Sequence, residues 1–111
     1  MNLNDSRLGK AFVVEVTGRL DSSTTSTFEA HCNKLIDKGA TVFVLDFDKL
    51  DYLNSGALRS IILMLKKVKP KGGNVIICGA KGTAKEIFEV SGFSEMFPMT
   101  DTIEQAASKV L

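Results

Sequence analysis

A serine in the middle of the chain follows a predicted buried strand and has neighbours typical of a helix start. Residues 50–59 read LDYLNSGALR, and the preceding segment 41–47 is rich in the β-branched and aromatic residues that predict a strand. Asn54 and Ser55 therefore lie at the predicted start of a helix, where a short polar side chain caps free backbone N–H groups. The same N–H groups and the positive end of the helix dipole favour an anion. The serine is thus either a plain helix cap or a residue that carries a phosphate.

The elements around this serine alternate between strands and helices. Apolar residues at helical spacing predict a helix from Ser55 to about Lys69, and they are Leu58, Ile61, Ile62, Leu65 and Val68. Strands are predicted at 11–17, 41–47 and 74–78, and weaker strands at 3–8 and 95–99. Three further helices are predicted to begin after segment 22–26, at about Thr83 and after Thr102. This alternation predicts an α/β fold, a mostly parallel sheet of four to five strands with about four helices packed on it.

Composition limits the class of protein. The 111 residues fit one domain, 1–111, and the 44% apolar content fits a compact globular chain. A net charge of +1 argues against nucleic-acid binding, and the basic run 66–71 falls at a predicted helix C-terminus, where cations complement the dipole. No apolar run approaches the roughly 18 residues that span a bilayer, and the first residues lack the apolar core of a signal peptide. We therefore expect a cytoplasmic protein without direct membrane insertion.

Nucleophilic catalysis and metal binding lack the residues that they require. A nucleophilic serine needs a base, but the single histidine, His31, lies on another predicted helix, and Ser55 lacks the G-x-S-x-G context. The glycine-containing turn 79–83 lacks the spacing of a phosphate-binding loop. Cys32 and Cys78 have no metal-like spacing and are expected to be buried, reduced thiols. We therefore expect no enzyme activity, no cofactor and no metal site.

Several segments together resemble the STAS domain family and, within it, the small stand-alone anti-sigma factor antagonists. Segment 17–21 (TGRLD) resembles the family's T-G-x-L/I-D, and segment 50–55 resembles the strand-to-helix segment that carries a phosphorylated serine. Segment 80–93 resembles the third helix and the S-G-[LF] turn that follows it. An aspartate is common in the family where this chain has Asn54, so one negative charge is absent beside the serine. The resemblance covers nearly the whole chain and implies a STAS fold.

The resemblance also implies a binding module that is controlled by phosphorylation. In such a switch the unphosphorylated module binds a serine kinase that is also an anti-sigma factor, which frees a sigma factor. The kinase has a histidine-kinase-like ATPase fold and phosphorylates the acceptor serine, here Ser55, and a PP2C-type serine phosphatase reverses the step. A phosphoserine charge of about −1.5 to −2 suits a helix N-terminus but not an acidic or apolar partner surface. The module itself would catalyse nothing, and we expect a monomer.

The partner is predicted to dock over the helix entry and the loop 21–25, since a kinase must approach there to reach Ser55. If Asp21 lies beside the helix entry, as it does in the family, it would add repulsion to a phosphate, and Arg59 at i+4 is placed to contact that phosphate or a partner carboxylate. The predicted partner-binding residues are Asp21, Ser22, Ser23, Thr24, Leu53, Asn54, Gly56, Ala57, Leu58 and Arg59. Two other functions stay open: a STAS subunit of a membrane lipid-transport complex and a nucleotide-binding STAS module.

Overall fold

Strands and helices alternate along residues 1–110, the part of the chain that the computed structural model describes. In chain order the elements are β1 (Asn2–Leu8), β2 (Ala11–Leu20), α1 (Thr25–Asp37), β3 (Val42–Asp46), β4 (Leu50–Leu53), α2 (Ser55–Val68), β5 (Asn74–Cys78), α3 (Gly82–Val90), β6 (Met99–Thr100) and α4 (Ile103–Val110). Short 3-10 turns at Lys69–Lys71 and Phe93–Glu95 follow α2 and α3. The alternation of strands and helices that the sequence predicts is confirmed.

The strands form one mostly parallel sheet in the order β1-β2-β3-β5-β6. Only the β1–β2 pair among the described strands is antiparallel. The long strand β2 serves two partners in succession: its first half pairs with β3, and its last residues pair with β4 through the contacts Gly18↔Leu50 and Leu20↔Leu53. The pairing with β4 is irregular between Gly18 and Arg19. As a result, the ends of β2 and β4 lie side by side.

The central strand β3 contributes side chains to two cores on opposite faces of the sheet. Phe43 and Leu45 pack in the larger core with residues of α1, α2 and α3, whereas Val42 and Val44 pack in the smaller core with residues of α4. Successive side chains of a strand point to opposite faces, so a strand covered on both sides is apolar throughout. Helices α1, α2 and α3 therefore share one face of the sheet, and α4 covers part of the other.

One predicted strand is placed differently in the structure. The sequence predicts an edge strand at 95–99, but Phe93–Glu95 form a 3-10 turn and the strand consists only of Met99–Thr100. Pro98 explains the shift because proline has no N–H to donate to a ladder. Its carbonyl oxygen accepts a hydrogen bond from the Ile77 N–H at 2.9 Å, and regular pairing begins only after it. The separate strand β4 is a second element that the predicted boundaries do not include.

Candidate functional site

Asn54 joins β4 to α2. Its backbone is extended (φ −100°, ψ 175°), and its Oδ1 accepts a hydrogen bond from the Ala57 N–H at 2.9 Å. Its own N–H donates to the Leu20 carbonyl at 3.1 Å, which ties the start of the helix to the end of β2. An Asn side chain that accepts from the third residue of a helix is an N-cap. Of the two candidate caps in the sequence, Asn54 is therefore the one that caps the helix.

Ser55 is the first residue of α2 and is exposed. Within residues 1–110 its hydroxyl makes no hydrogen bond to the protein, so its interpretation as a plain cap is wrong. Asn54 already engages the N–H groups of Ala57 and Leu58 through its side chain and its carbonyl. The N–H groups of Ser55 and Gly56 belong to the first turn, which has no intrahelical acceptors for them. The helix entry therefore offers an accessible hydroxyl beside donors that favour an anion.

Ser60, the next serine along α2, is enclosed by protein. Ser60 is buried. Its hydroxyl donates a hydrogen bond to a Glu29 carboxylate oxygen on α1 and lies 3.3 Å from the Gly56 carbonyl oxygen. This contact joins α1 to α2. A kinase cannot reach this hydroxyl without opening the packing between the two helices, so Ser55 is the accessible serine at this end of α2.

The loop after β2 is organised around Asp21. Asp21 Oδ1 accepts hydrogen bonds from the Ser23 N–H at 3.0 Å and from Ser23 Oγ at 2.7 Å. The Asp21 N–H donates to Thr24 Oγ1 at 3.0 Å, and Thr24 Oγ1 donates to the Arg19 carbonyl at 2.8 Å. The two Ser23 hydrogen bonds, with a smaller contribution from Arg19, lower the pKa of the Asp21 carboxyl below its usual value of 3.8. Asp21 therefore carries a negative charge at neutral pH.

The register of β2 and β4 brings this loop to the entry of α2. Leu20 and Leu53 are paired in the ladder, so Asp21 and Asn54 are the residues that leave the two parallel strands next to each other. The hydrogen bond from the Asn54 N–H to the Leu20 carbonyl fixes this arrangement. The structure thus places the loop 21–24 beside the helix entry, as the resemblance implies.

The residues predicted to bind a partner differ in accessibility. Ser22, Ser23, Gly56 and Arg59 are exposed, and Asp21, Thr24 and Asn54 are half-buried. Leu53, Ala57 and Leu58 are buried in the larger core and present almost no side-chain surface. We therefore revise the role of these three residues, because their packing holds the helix entry against the sheet and leaves little for a partner to contact.

A groove runs from the helix entry to α3, and none of the residues predicted from the sequence to bind a partner lies on its α3 side. Tyr52, Leu53, Asn54 and Ser55 line one wall, Thr83, Glu86, Ile87 and Val90 line the other, and the volume is about 440 Å³. Val90 is 84% exposed, the largest value among the exposed large apolar residues described. Thr83, Ile87 and Val90 are spaced to lie on one face of α3, but this spacing alone does not show whether that face is buried or exposed. Ser55 thus lies at the rim of a partly apolar groove.

Arg19 links the Asp21 loop to this groove. Its Nε lies 3.4 Å from Asp21 Oδ2, and its guanidinium carbon lies 4.3 Å from the centre of the Tyr52 ring. The first contact is an ion pair and the second is a cation–π contact. No local sequence pattern points to Arg19 or Tyr52, because their contact depends on the pairing of β2 with β4.

The two cysteines are buried, and the histidine contacts a carboxylate on a neighbouring strand. Cys32 and Cys78 are free and buried, as predicted, and burial, with smaller contributions from Asp5 and Asp46 respectively, raises the pKa of each thiol to about 12. His31 Nε2 lies 2.6 Å from Asp5 Oδ1, which joins α1 to β1. Among residues 1–110, no group of three or more His, Cys, Asp or Glu side chains is arranged to hold a metal ion. No helix in that range is long and apolar enough to cross a bilayer.

Comparison with known proteins identifies the family. The STAS domain model matches residues 2–106, so the chain belongs to the STAS domain family. BtrV of Bordetella bronchiseptica, a protein named as an anti-sigma factor antagonist, is 32% identical over 108 residues, which cover 97% of this chain and 93% of BtrV.

Solved structures of named anti-sigma factor antagonists share the fold. One from Thermotoga maritima has a TM-score of 0.92 at 16% identity, covering 97% of this chain and 93% of the other. Unphosphorylated SpoIIAA has a TM-score of 0.86 at 19% identity and covers 98% and 96% of the two chains. Phosphorylated SpoIIAA of Bacillus has a TM-score of 0.79 at 20% identity and covers 99% and 100%. The predicted STAS fold is confirmed.

Proposed function

We propose that this protein is an anti-sigma factor antagonist whose binding to its partner is controlled at Ser55. The unphosphorylated form binds a serine kinase of histidine-kinase-like ATPase fold that is also an anti-sigma factor, and a PP2C-type phosphatase removes the phosphate. The observation that carries the proposal is the exposed Ser55 hydroxyl at the first position of a helix that Asn54 caps independently. The name of BtrV, and a fold shared with SpoIIAA in two phosphorylation states, support it. The chain acts in the cytoplasm and is not an enzyme.

Phosphorylation at this position changes charge without breaking the fold. The N–H groups of Ser55 and Gly56 and the helix dipole stabilise the added negative charge, and the Asn54 cap does not use the Ser55 hydroxyl. A partner that covers the helix entry must instead remove water from a group of charge about −2. A coupling of about 3 kcal/mol would weaken the complex roughly 150-fold, which is within the usual range for switches.

The partner's docking surface extends from the helix entry to α3. The groove beside Ser55 continues to Val90, and the loop 21–24 lies on the other side of the entry. A partner that reaches Ser55 across this groove would bury the exposed Val90 side chain and the accessible part of Ile87, which also packs against the larger core. The predicted surface therefore comprises loop 21–24, the exposed residues of the α2 entry and one face of α3.

Phosphorylation by the cognate kinase tests the switch. With ATP, we expect one phosphate on Ser55 by phosphopeptide mapping, and none on Ser55→Ala, which keeps its affinity for the kinase. Ser55→Asp should bind more weakly because it carries part of the phosphate's charge. Ser22→Ala is the matched control, since Ser22 is also exposed and lies in the adjacent loop. A label on Ser22, or equal kinase affinity of the Ala and Asp variants at position 55, would contradict the proposal.

Substitution of Val90 tests the extent of the docking surface. Val90→Asp should weaken kinase binding about tenfold or more, because it places a charge in an apolar contact, and should leave the melting temperature nearly unchanged because the side chain is exposed. Lys109→Ala on α4, at the opposite face of the sheet, is the control and should bind normally. If Val90→Asp binds like the parent protein, α3 does not belong to the interface.

The two alternative functions give different results in the same preparations. A subunit of a lipid-transport complex would co-purify with a transporter ATPase and would not depend on Ser55. A nucleotide-binding module would show saturable binding of a purine nucleotide to the unmodified chain in calorimetry. Either result, together with no phosphate transfer to Ser55, would replace the proposed function.

A further inference from the structure

Arg19 occupies a position between the Asp21 loop and the groove that holds Ser55. Its partner across the β2–β4 ladder is Tyr52, and its guanidinium lies against the Tyr52 ring at 4.3 Å. That ring is part of the groove wall, and Ser55 follows Tyr52 by three residues on the same wall. Three residues span at most about 10 Å of chain. The long, flexible arginine side chain and the phosphate that extends the short serine side chain can together cover this separation.

The present contact between Arg19 and Asp21 is easily exchanged. It consists of one nitrogen–oxygen approach of 3.4 Å, and the Arg19 side chain is 60% exposed, so solvent screens the attraction. The carboxylate of Asp21 also keeps two hydrogen bonds from Ser23, which compensate its charge if Arg19 leaves. A phosphate dianion offers a guanidinium more charge and a bidentate geometry.

Charges around the groove favour Arg19 as the recipient of a phosphate on Ser55. Glu86 on the opposite wall repels a phosphate and so directs it away from α3. Arg59, one helical turn along α2, is the competing cation, but within residues 1–110 it makes no ion pair that holds it near the helix entry. Arg19 is held next to the groove before any phosphate is present.

We infer that Arg19 is the internal counter-ion of phosphorylated Ser55, and that the phosphate draws it away from Asp21. The inference rests on the proposed function, since it requires Ser55 to be the modified residue. Phosphorylation would then also break the ion pair between Arg19 and Asp21, which the added charge at Ser55 alone does not do. Departure of Arg19 removes the ion pair from the Asp21 carboxylate while its two Ser23 hydrogen bonds remain, so that phosphorylation alters the electrostatics on both sides of the helix entry.

The test uses the full chain with phosphoserine introduced at position 55 during translation, so that no kinase is needed. In ³¹P NMR titrations, Arg19→Ala should raise the pKa of the phosphate by about half a unit to one unit, because a nearby cation favours the dianion. Arg19→Lys should restore part of this difference, since it keeps the charge and loses the fork of donors. Lys109→Ala on α4, at the opposite face of the sheet, is the control and should leave the phosphate pKa unchanged, whereas Arg59→Ala should raise it less than Arg19→Ala does.

A second measurement follows Arg19 directly. The Nε–Hε resonance of Arg19, assigned by its loss in Arg19→Lys, should shift between the chains with Ser55 and with phosphoserine, and the Ser23 amide should shift with it. Equal phosphate pKa values with and without Arg19, or a rise only in Arg59→Ala, would overturn the inference. That result would leave the Ser55 switch intact, whereas a kinase that modifies another serine would remove the switch without changing these titrations.

Discussion

The separation of the helix cap, Asn54, from the proposed phosphate acceptor, Ser55, can be tested by two adjacent alanine substitutions. Asn54→Ala removes the hydrogen bond from the Ala57 N–H to Oδ1, while the backbone bond from the Asn54 N–H to Leu20 survives. Loss of an N-cap of this kind costs about 1 kcal/mol. Ser55→Ala removes no protein hydrogen bond and places a better helix former in the first turn, so its effect should be within about 0.5 kcal/mol of zero.

The size of the chain converts these energies into melting temperatures. An unfolding entropy of about 2.1 cal/mol/K per residue gives roughly 0.23 kcal/mol/K for the whole domain, so that 1 kcal/mol lowers Tm by about 4 °C. Urea unfolding followed by far-UV circular dichroism measures the same difference at 25 °C. Asn54→Asp is the control, because it keeps the acceptor oxygen and should retain the stability of the parent protein.

If Ser55→Ala destabilises the domain as much as Asn54→Ala does, the Ser55 hydroxyl also contributes to capping the helix. In that case Ser55 would be a structural cap, and its modification would unfold the helix entry. A drop in stability for Asn54→Asp similar to that for Asn54→Ala would instead show that the amide, and not the acceptor oxygen, is required there.

Two further predictions concern backbone packing and thiol chemistry. Gly73→Ala should lower the free energy of unfolding by about 3 kcal/mol or more, because a Cβ at this position would lie 2.0 Å from the Thr41 carbonyl oxygen. Gly56→Ala is the control and should be neutral or stabilising in urea unfolding, since the nearest atom given for its Cβ, Asn54 Oδ1, lies 3.5 Å away. A mild loss for Gly73→Ala would contradict this prediction. Cys32 and Cys78 should react with an aromatic disulfide at pH 8 only after denaturation. A pKa of about 12 in place of 9.0 lowers the fraction of each thiol present as thiolate about a thousandfold. Fast labelling of the native protein would contradict this prediction and show that the thiols are accessible.

Local patterns in the sequence were sufficient to predict α2 and β3. The apolar spacing from Leu58 to Val68 identified the helix, and its observed bounds, Ser55–Val68, agree with the prediction. Strand β4 has only four residues and forms by pairing with the end of β2, more than 30 positions earlier in the chain. Such a short strand is specified by a distant partner and by register, which no local pattern contains.

The candidate site was predictable to a different extent at each residue. The position of Ser55 at a helix start follows from its neighbours in the sequence. Asn54 and Ser55 are both residue types that cap helices, and only the hydrogen bond from the Ala57 N–H to Asn54 Oδ1 shows which of them is the cap. Leu58 was assigned to a partner surface because of its closeness to Ser55 in sequence. The helical spacing that predicted α2 already placed it on the buried face, and the structure agrees with that pattern.

Sequence periodicity alone does not decide which apolar residues of α3 face the core and which line the groove. Ala84, Ile87, Phe88 and Val90 are all apolar, and a helix of nine residues with so many apolar positions can face the core in more than one rotation. Packing on the sheet buries Ala84 and Phe88 completely, which leaves Val90 outside. Sequence therefore predicts the helix, and only the packed structure shows that it has a second apolar face beside Ser55.

The same packing explains why a phosphate on Ser55 would leave the fold intact. Asn54 holds the helix start through its side chain and its backbone, and the buried residues behind it hold the helix against the sheet. Ser55 takes part in neither set of contacts, so a phosphate there changes the charge and hydration of the surface while the core stays as it is. A serine that also served as the cap would couple modification to loss of the helix, and the partner would then meet a partly unfolded surface in place of a charged one.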